Sequence, residues 1–123
     1  MRKIKLRQLR ELQELESNLK YKYSQNQFFK RLYETSNKKK NDGKEEKCVI
    51  ISTGSGRNIF SGISDDVVEV LGKAGHFDKN IFDFNSGVIT MENYWDILET
   101  VSYLIDIIQF DLTKAYVENN KHE

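Results

Sequence analysis

The apolar side chains of residues 3–23 recur mostly three or four positions apart, with Arg, Gln and Glu between them; they are Ile4, Leu6, Leu9, Leu12, Leu15, Leu19 and Tyr23. This spacing predicts an amphipathic helix whose apolar stripe packs against another part of the chain. Ser24 and Gln27 then form the S-x-x-Q pattern of a capping box, which predicts a second helix from Ser24 through Phe28, Phe29, Leu32 and Tyr33. One helix continuing through Ser24 is the alternative.

The spacing of the apolar residues changes from a helical to a strand-like pattern after a polar stretch. Residues 36–47 contain no apolar side chain and hold eight charges, so they read as a solvated connector. Residues 48–51 form a short β-rich apolar run that predicts a buried strand, with residues 58–61 as its hairpin partner. The alternation of residues 81–84 and 88–91 around an Asn-Ser-Gly turn predicts a second hairpin.

Two further helices are predicted in the second half of the chain. Ser64 as the N-cap, followed by two aspartates and an apolar run closed by Gly72, is typical of a short helix. Asn93 and Asp96 open a longer helix whose apolar residues share one face; they are Tyr94, Ile97, Leu98, Val101, Leu104, Ile105, Ile108 and Leu112. Tyr103, Ile107 and Phe110 widen that face, so we expect the helix to be covered on more than one side.

The order helix, connector, hairpin, helix, hairpin, long helix predicts an α+β fold with a small antiparallel or mixed sheet. A small, partly closed β-barrel with flanking helices is the alternative. At 123 residues the chain has the length of one domain. We divide it into a helical arm at 1–35 that packs on the domain, a connector at 36–47 and an α+β core at 48–123.

A formal net charge of zero hides an uneven distribution. Residues 1–47 hold 14 Lys and Arg against 7 Asp and Glu, whereas residues 48–123 hold 5 against 12. Either the basic part faces a polyanion or a partner, or it packs against the acidic remainder of its own chain.

The single cysteine, Cys48, and the absence of an apolar signal or membrane-spanning run predict a soluble cytoplasmic protein. Abundant Lys, Asn and Ile without proline are typical of an A/T-rich bacterial or phage genome.

The stretch Gly54-Ser55-Gly56 resembles a phosphate-binding loop only superficially. A Walker A loop needs Lys and a hydroxyl residue after its last Gly, but Arg57 and Asn58 follow here, and Ile59 stands where a dinucleotide fingerprint needs its third Gly. An ordinary hairpin turn is favoured; the alternative is a loop that binds phosphate or carboxylate through backbone N–H groups and Arg57.

Other chemistry has little support in the sequence. His76 and Asp78 form an isolated H-x-D, His122 lies in a polar tail, and Cys48 has no partner at ligand spacing. We therefore expect no metal, no cofactor and no catalytic residues, and predict that the protein is not an enzyme.

The function that these patterns favour is a small, non-enzymatic binding or regulatory protein that contacts a protein partner. The composition is consistent with a gene carried by a phage or plasmid. A regulator that binds RNA or DNA through the basic half, with aromatic residues stacking on bases, is the alternative. We expect no membrane contact, and either a monomer or a weak homodimer through the N-terminal helix. The candidate contact residues are Arg2, Lys3, Lys5, Arg7, Arg10, Lys38, Lys39, Lys40, Arg57 and Asn58.

Overall fold

A computed structural model describes residues 2–28, 48–53, 55–77 and 87–120. In chain order these residues form helix α1 (Arg2–Phe28), strand β1 (Cys48–Ile50), helix α2 (Asp65–Gly75), strand β2 (Val88–Thr90) and helix α3 (Met91–Asn120). The predicted α+β class, with a helix at the N-terminus and a long helix at the C-terminus, is confirmed. The barrel alternative is not supported, because the described residues form a sheet of only two strands.

Helix α1 is one continuous helix, so the prediction of a new helix beginning at Ser24 is wrong. The helix passes through Ser24, which is exposed, and continues to Phe28. No Gly or Pro interrupts the segment, and the side chain of Asn26 in the last turn is hydrogen-bonded to β1. The rest of the predicted second helix and the connector at 36–47 lie outside the described residues.

The two strands pair in a way that the predicted hairpins did not anticipate. They are antiparallel, with Val49 opposite Ile89, so β1 pairs with a strand of the second predicted hairpin. Residues 58–61, its predicted partner, contribute one isolated bridge between Asn58 and Ser52. The side chain of Asn58 accepts a hydrogen bond from the backbone N–H of Phe60 at 2.8 Å, which turns the chain away from an extended course. Residues 81–84 lie outside the described residues.

Both later helices differ from their predicted ends by a few residues. Helix α2 continues past Gly72 to Gly75, and ends where His76 adopts a left-handed conformation, with φ of 57°. Helix α3 begins at Met91 rather than Asn93. The hydroxyl of Thr90 accepts a hydrogen bond from the backbone N–H of Asn93 at 3.1 Å, so Thr90 caps the helix that we expected to open at Asn93.

The core lies where α1, α2 and α3 meet the sheet. Its buried apolar residues are Leu12, Leu15, Leu19, Val49, Ile51, Phe60, Val67, Leu71, Ile89, Tyr94, Ile97, Val101, Leu104, Ile105 and Ile108. Tyr94 joins α3 to α1: its hydroxyl donates to the backbone carbonyl of Leu19 at 3.2 Å and its ring stacks on Tyr23. Burial, with a smaller contribution from Tyr23, raises the pKa of Tyr94 to about 12. The hydroxyl therefore remains protonated at neutral pH and can keep donating.

Candidate functional site

The outer face of α3 carries four exposed apolar side chains, which we call the outer stripe. Our expectation that three of them would be buried is wrong. The exposed fractions are 59% for Tyr103, 37% for Ile107, 67% for Phe110 and 50% for Val117. Ile107 follows Tyr103 by four positions, Phe110 follows Ile107 by three, and Val117 follows Phe110 by seven. Residues at these spacings lie on the same side of an α-helix. Single exposed apolar residues are ordinary, but an aligned set is typical of a contact surface.

Carboxylates surround the N-terminal part of the outer stripe. Asp96, Glu99 and Asp106 are exposed on α3 and have no ion pair among the described residues. Asp96 and Glu99 also line a shallow hollow of about 420 Å³ with Gly75, Phe77, Thr100 and Tyr103. The hollow combines two carboxylates with two aromatic rings, which is a suitable environment for a cationic side chain. The outer stripe is therefore apolar along its length and acidic at one end.

The basic residues predicted to contact a partner are partly neutralised within the chain. The Nζ of Lys5 lies 3.4 Å from a carboxylate oxygen of Asp111, and the guanidinium of Arg7 binds Asp66. Lys3 and Arg10 are exposed and have no ion pair within the part of the chain that the structure describes. The basic N-terminal segment thus makes contacts with the acidic remainder of the chain, as one of our two interpretations of the charge distribution proposed.

The side chain of Arg2 and residues Lys38, Lys39 and Lys40 lie outside the described part of the structure. Arg57 and Asn58 do not join the basic residues at the start of α1. They lie beside the middle and the end of that helix, in a different part of the surface.

Glu11 links α1 to the segment that precedes α2. Its carboxylate accepts hydrogen bonds from the backbone N–H of Ser64 at 2.9 Å and from the Ser64 hydroxyl at 3.0 Å, and it pairs with Arg7. The hydroxyl of Ser64 therefore bonds Glu11 and does not cap α2, contrary to our expectation. Burial raises the pKa of Glu11, but the Ser64 and Arg7 bonds outweigh it and leave the pKa below its usual value. The Arg7 hydrogen bond also lowers the pKa of Asp66, despite the opposing effect of desolvation.

This network predicts a loss of stability in acid. Because the pKa of Glu11 is lower in the folded state than in the unfolded state, its contribution is present above the unfolded value, about 4.3, and is lost as the pH falls through the folded value. We expect urea denaturation at pH 3 to 6 to show a smaller acid-induced loss in Glu11→Gln than in the wild type. Glu14→Gln, which removes an exposed carboxylate one turn away, should keep the wild-type profile. Identical profiles for the two variants would contradict the assignment.

A groove of about 600 Å³ separates α1 from the segment at 52–63. It is lined by Glu11, Glu14, Leu15, Asn18, Tyr21, Lys22, Gln25, Thr53, Ser55, Arg57, Asn58, Ile59, Ser61, Gly62 and Ile63. The loop on one wall turns tightly: the N–H of Gly56 donates to the carbonyl of Thr53, and the N–H of Thr53 donates to the carbonyl of Arg57. Gly56 has φ of 84°, which favours glycine. The residues after Asn58 form turns rather than a helix, unlike those after a Walker A loop.

The described ranges contain neither a cluster of metal ligands nor a membrane-spanning helix. No group of three or more His, Cys, Asp and Glu in the described residues has the arrangement of a metal site. No helix within those ranges has both the length and the apolar character needed to cross a membrane. His76 is exposed beyond α2, Cys48 is buried in β1, and Asp78 and His122 lie outside the described residues.

Comparison with known protein families, curated proteins and solved structures found no match to this chain. Sequence reasoning missed two features: the exposure of the outer stripe and the presence of Lys22 in the groove. Lys22 lies between Leu19 and Asn26 on the buried side of α1, where the helical spacing calls for an apolar residue. A charged residue at such a position was the signal in the sequence that could have identified Lys22.

Proposed function

We propose that this protein is a non-enzymatic binding protein that acts by holding a basic, amphipathic helix of a protein partner against the outer stripe. The observation that carries the proposal is the alignment of Tyr103, Ile107 and Phe110 on the exposed side of α3. A helix with apolar residues at spacings of three and four would cover these side chains, as in other helix-on-groove contacts. A cytoplasmic setting and an origin in a phage or plasmid belong to the same proposal and rest on composition.

Charge complementarity supports a basic partner rather than a second copy of the chain. Asp96, Glu99 and Asp106 lie beside the apolar residues, and Lys114 is the single lysine between Phe110 and Val117. A parallel pair of copies would bring these carboxylates together, and an antiparallel pair would set the single Lys114 of each copy against three carboxylates, so either arrangement leaves negative charge unbalanced. Lysine or arginine side chains of a partner would instead meet the carboxylates and the aromatic hollow. The proposed protein is therefore monomeric in its free state.

A designed 18-residue peptide provides the test. It carries leucines at spacings of three and four and lysines on either side, and a matched peptide has glutamate at each lysine position. We expect the purified protein to bind the lysine peptide in fluorescence anisotropy and to discriminate against the glutamate peptide. Phe110→Ser should weaken binding about tenfold or more, because an aromatic side chain buried at a contact contributes about 1.5–3 kcal/mol.

Tyr116→Ser is the matched control, since Tyr116 is 59% exposed on α3, close to the 67% of Phe110, but lies on a different side of the helix. Equal effects of the two substitutions, or equal binding of both peptides, would refute the proposal. Labelled RNA and duplex DNA form a further arm of the experiment. Tight, salt-sensitive nucleic-acid binding that Lys3→Glu and Arg10→Glu abolish would favour the nucleic-acid function and overturn the protein-partner proposal.

A further inference from the structure

Lys22 is a buried cation without a described counter-charge. Its side chain lies on α1 at the groove and the residue is only 8% exposed. The ammonium donates to the backbone carbonyl of Ser52 at 2.7 Å and to the side-chain carbonyl of Gln25 at 3.0 Å, both of which are neutral acceptors. Within the described residues it makes no ion pair. An ammonium group has three donors, and a buried charge is normally balanced by an opposite charge.

Arg57 brings a second cation to the same groove from the opposite wall. It is exposed in the tight turn and makes no ion pair with the residues that the structure describes. The hydroxyls of Thr53 and Ser55 lie on the same wall, 2.9 Å from one another. A guanidinium, an ammonium and the one hydroxyl proton that the bond between Thr53 and Ser55 leaves free form a set of donors that suits a tetrahedral oxyanion.

We propose that this groove binds a small phosphate monoester, with its phosphate group held between Lys22 and Arg57. The groove has the volume of a small-molecule site, about 300–1,000 Å³, and is larger than a phosphate ion requires. Tyr21, which is 62% exposed, lies on the groove wall and offers a flat surface on which an aromatic group of the ligand can stack. The chemistry therefore fits a mononucleotide.

The carboxylates of the groove do not oppose this placement. Glu11 is bonded to Ser64 and Arg7, and it lies eleven residues before Lys22, a separation of about 16 Å along the helix axis. Glu14 lies eight residues before Lys22 on the same helix, a separation of about 12 Å along the helix axis. The cationic and anionic ends of the groove are thus distinct, and the phosphate belongs at the end formed by Lys22 and Arg57.

Titration of the full-length, ¹⁵N-labelled protein with AMP at constant ionic strength tests the proposal. We expect saturable shifts of the amides of Ser55, Gly56 and Arg57 with a Kd below about 1 mM. Adenosine, which lacks the phosphate, should bind at least about tenfold more weakly. Inorganic phosphate should shift the same amides but bind more weakly than AMP, and equal affinities would overturn the monoester assignment because the nucleoside would then contribute nothing to binding.

Arg57→Gln and Lys22→Met should each weaken AMP binding about tenfold or more. Lys20→Met is the matched control, because it removes the same charge from an exposed position of α1 outside the groove. Arg57 is exposed, so Arg57→Gln keeps the proposal testable if Lys22→Met fails to fold. Absence of saturable shifts, equal affinity for adenosine and AMP, or full AMP binding by Arg57→Gln would each overturn it. The peptide experiment on α3 uses a different surface, so the two proposals can fail independently.

Discussion

Replacing Asn26 with leucine is expected to lower the free energy of unfolding by about 3 kcal/mol, because it leaves two polar backbone groups of β1 without their partner. The side chain of Asn26 accepts a hydrogen bond from the backbone N–H of Ile50 at 2.8 Å and donates to the carbonyl of the same residue at 3.0 Å. Asn26 is 5% exposed, so water has little access to these bonds from the helix side. Leucine has a similar size but neither a donor nor an acceptor.

The position of these bonds explains why their loss should be costly. Val88 lies opposite Ile50 in β2, while Asn26 bonds the backbone of Ile50 from α1, much as a neighbouring strand would. A sheet of two strands of three residues each is too small to be stable alone. The contact between Asn26 and Ile50 therefore fixes β1 to the helix that supplies part of the core. Its loss should also speed hydrogen exchange at the amide of Ile50.

Gln27→Leu provides the control for this prediction. Gln27 is the next residue of α1 and is exposed, so the same kind of replacement should change the free energy of unfolding by no more than about 0.5 kcal/mol. Urea denaturation followed by circular dichroism measures both variants. If Asn26→Leu were no less stable than Gln27→Leu, the side chain of Asn26 would not be holding β1 to α1.

The helices were predictable because each one carries its own pattern. The spacing of Leu12, Leu15 and Leu19 identifies α1, and that of Ile97, Val101 and Ile108 identifies α3. These apolar residues are buried, and so the residues facing the core were also predictable over most of both helices. The alternation of short apolar runs and turn residues predicted an antiparallel or mixed sheet, and the observed sheet is antiparallel.

Strand pairing was less predictable because it depends on contacts between distant residues. The turn after Ile51 suggested a local hairpin, whereas Val49 pairs with Ile89 forty residues later in the chain. Periodicity also failed to separate buried from exposed apolar residues on α3. Tyr103 and Phe110 widen the apolar face in sequence, but the chain has no described element packed over them. For this reason the outer stripe could be recognised only in three dimensions.

The groove illustrates the same limitation for charged residues. Arg57 was a candidate for anion binding because it follows a glycine-containing turn. Its counterpart, Lys22, lies 35 positions earlier in a helix that composition describes only as basic. Their common groove arises because Lys22 donates to the carbonyl of Ser52, just before the turn that carries Arg57. A pairing of this kind becomes visible only when the packing of α1 against the loop is known.

A second large effect is expected from Leu19→Ala, which should lower the free energy of unfolding by about 3–4 kcal/mol. The side chain of Leu19 is fully buried in the core, and its backbone carbonyl accepts the hydroxyl of Tyr94 from α3. Alanine retains the helix but removes the apolar atoms that contact the core and leaves a cavity where α1 packs against the rest of the chain. A loss of this size corresponds to a fall in Tm of about 12 °C or more for a chain of this length.

Leu6→Ala tests whether the effect comes from burial or from the helix itself. Leu6 belongs to the same apolar repeat of α1 but is 44% exposed, so its replacement should cost about 0.5 kcal/mol or less. Equal losses for Leu6→Ala and Leu19→Ala would mean that leucine contributes through helix propensity alone, in contradiction to the packing described. A loss at Leu19 that grew with protein concentration would indicate that α1 is buried against a second copy. A large, concentration-independent loss at Leu19 alone would place the buried contact of α1 within a single chain.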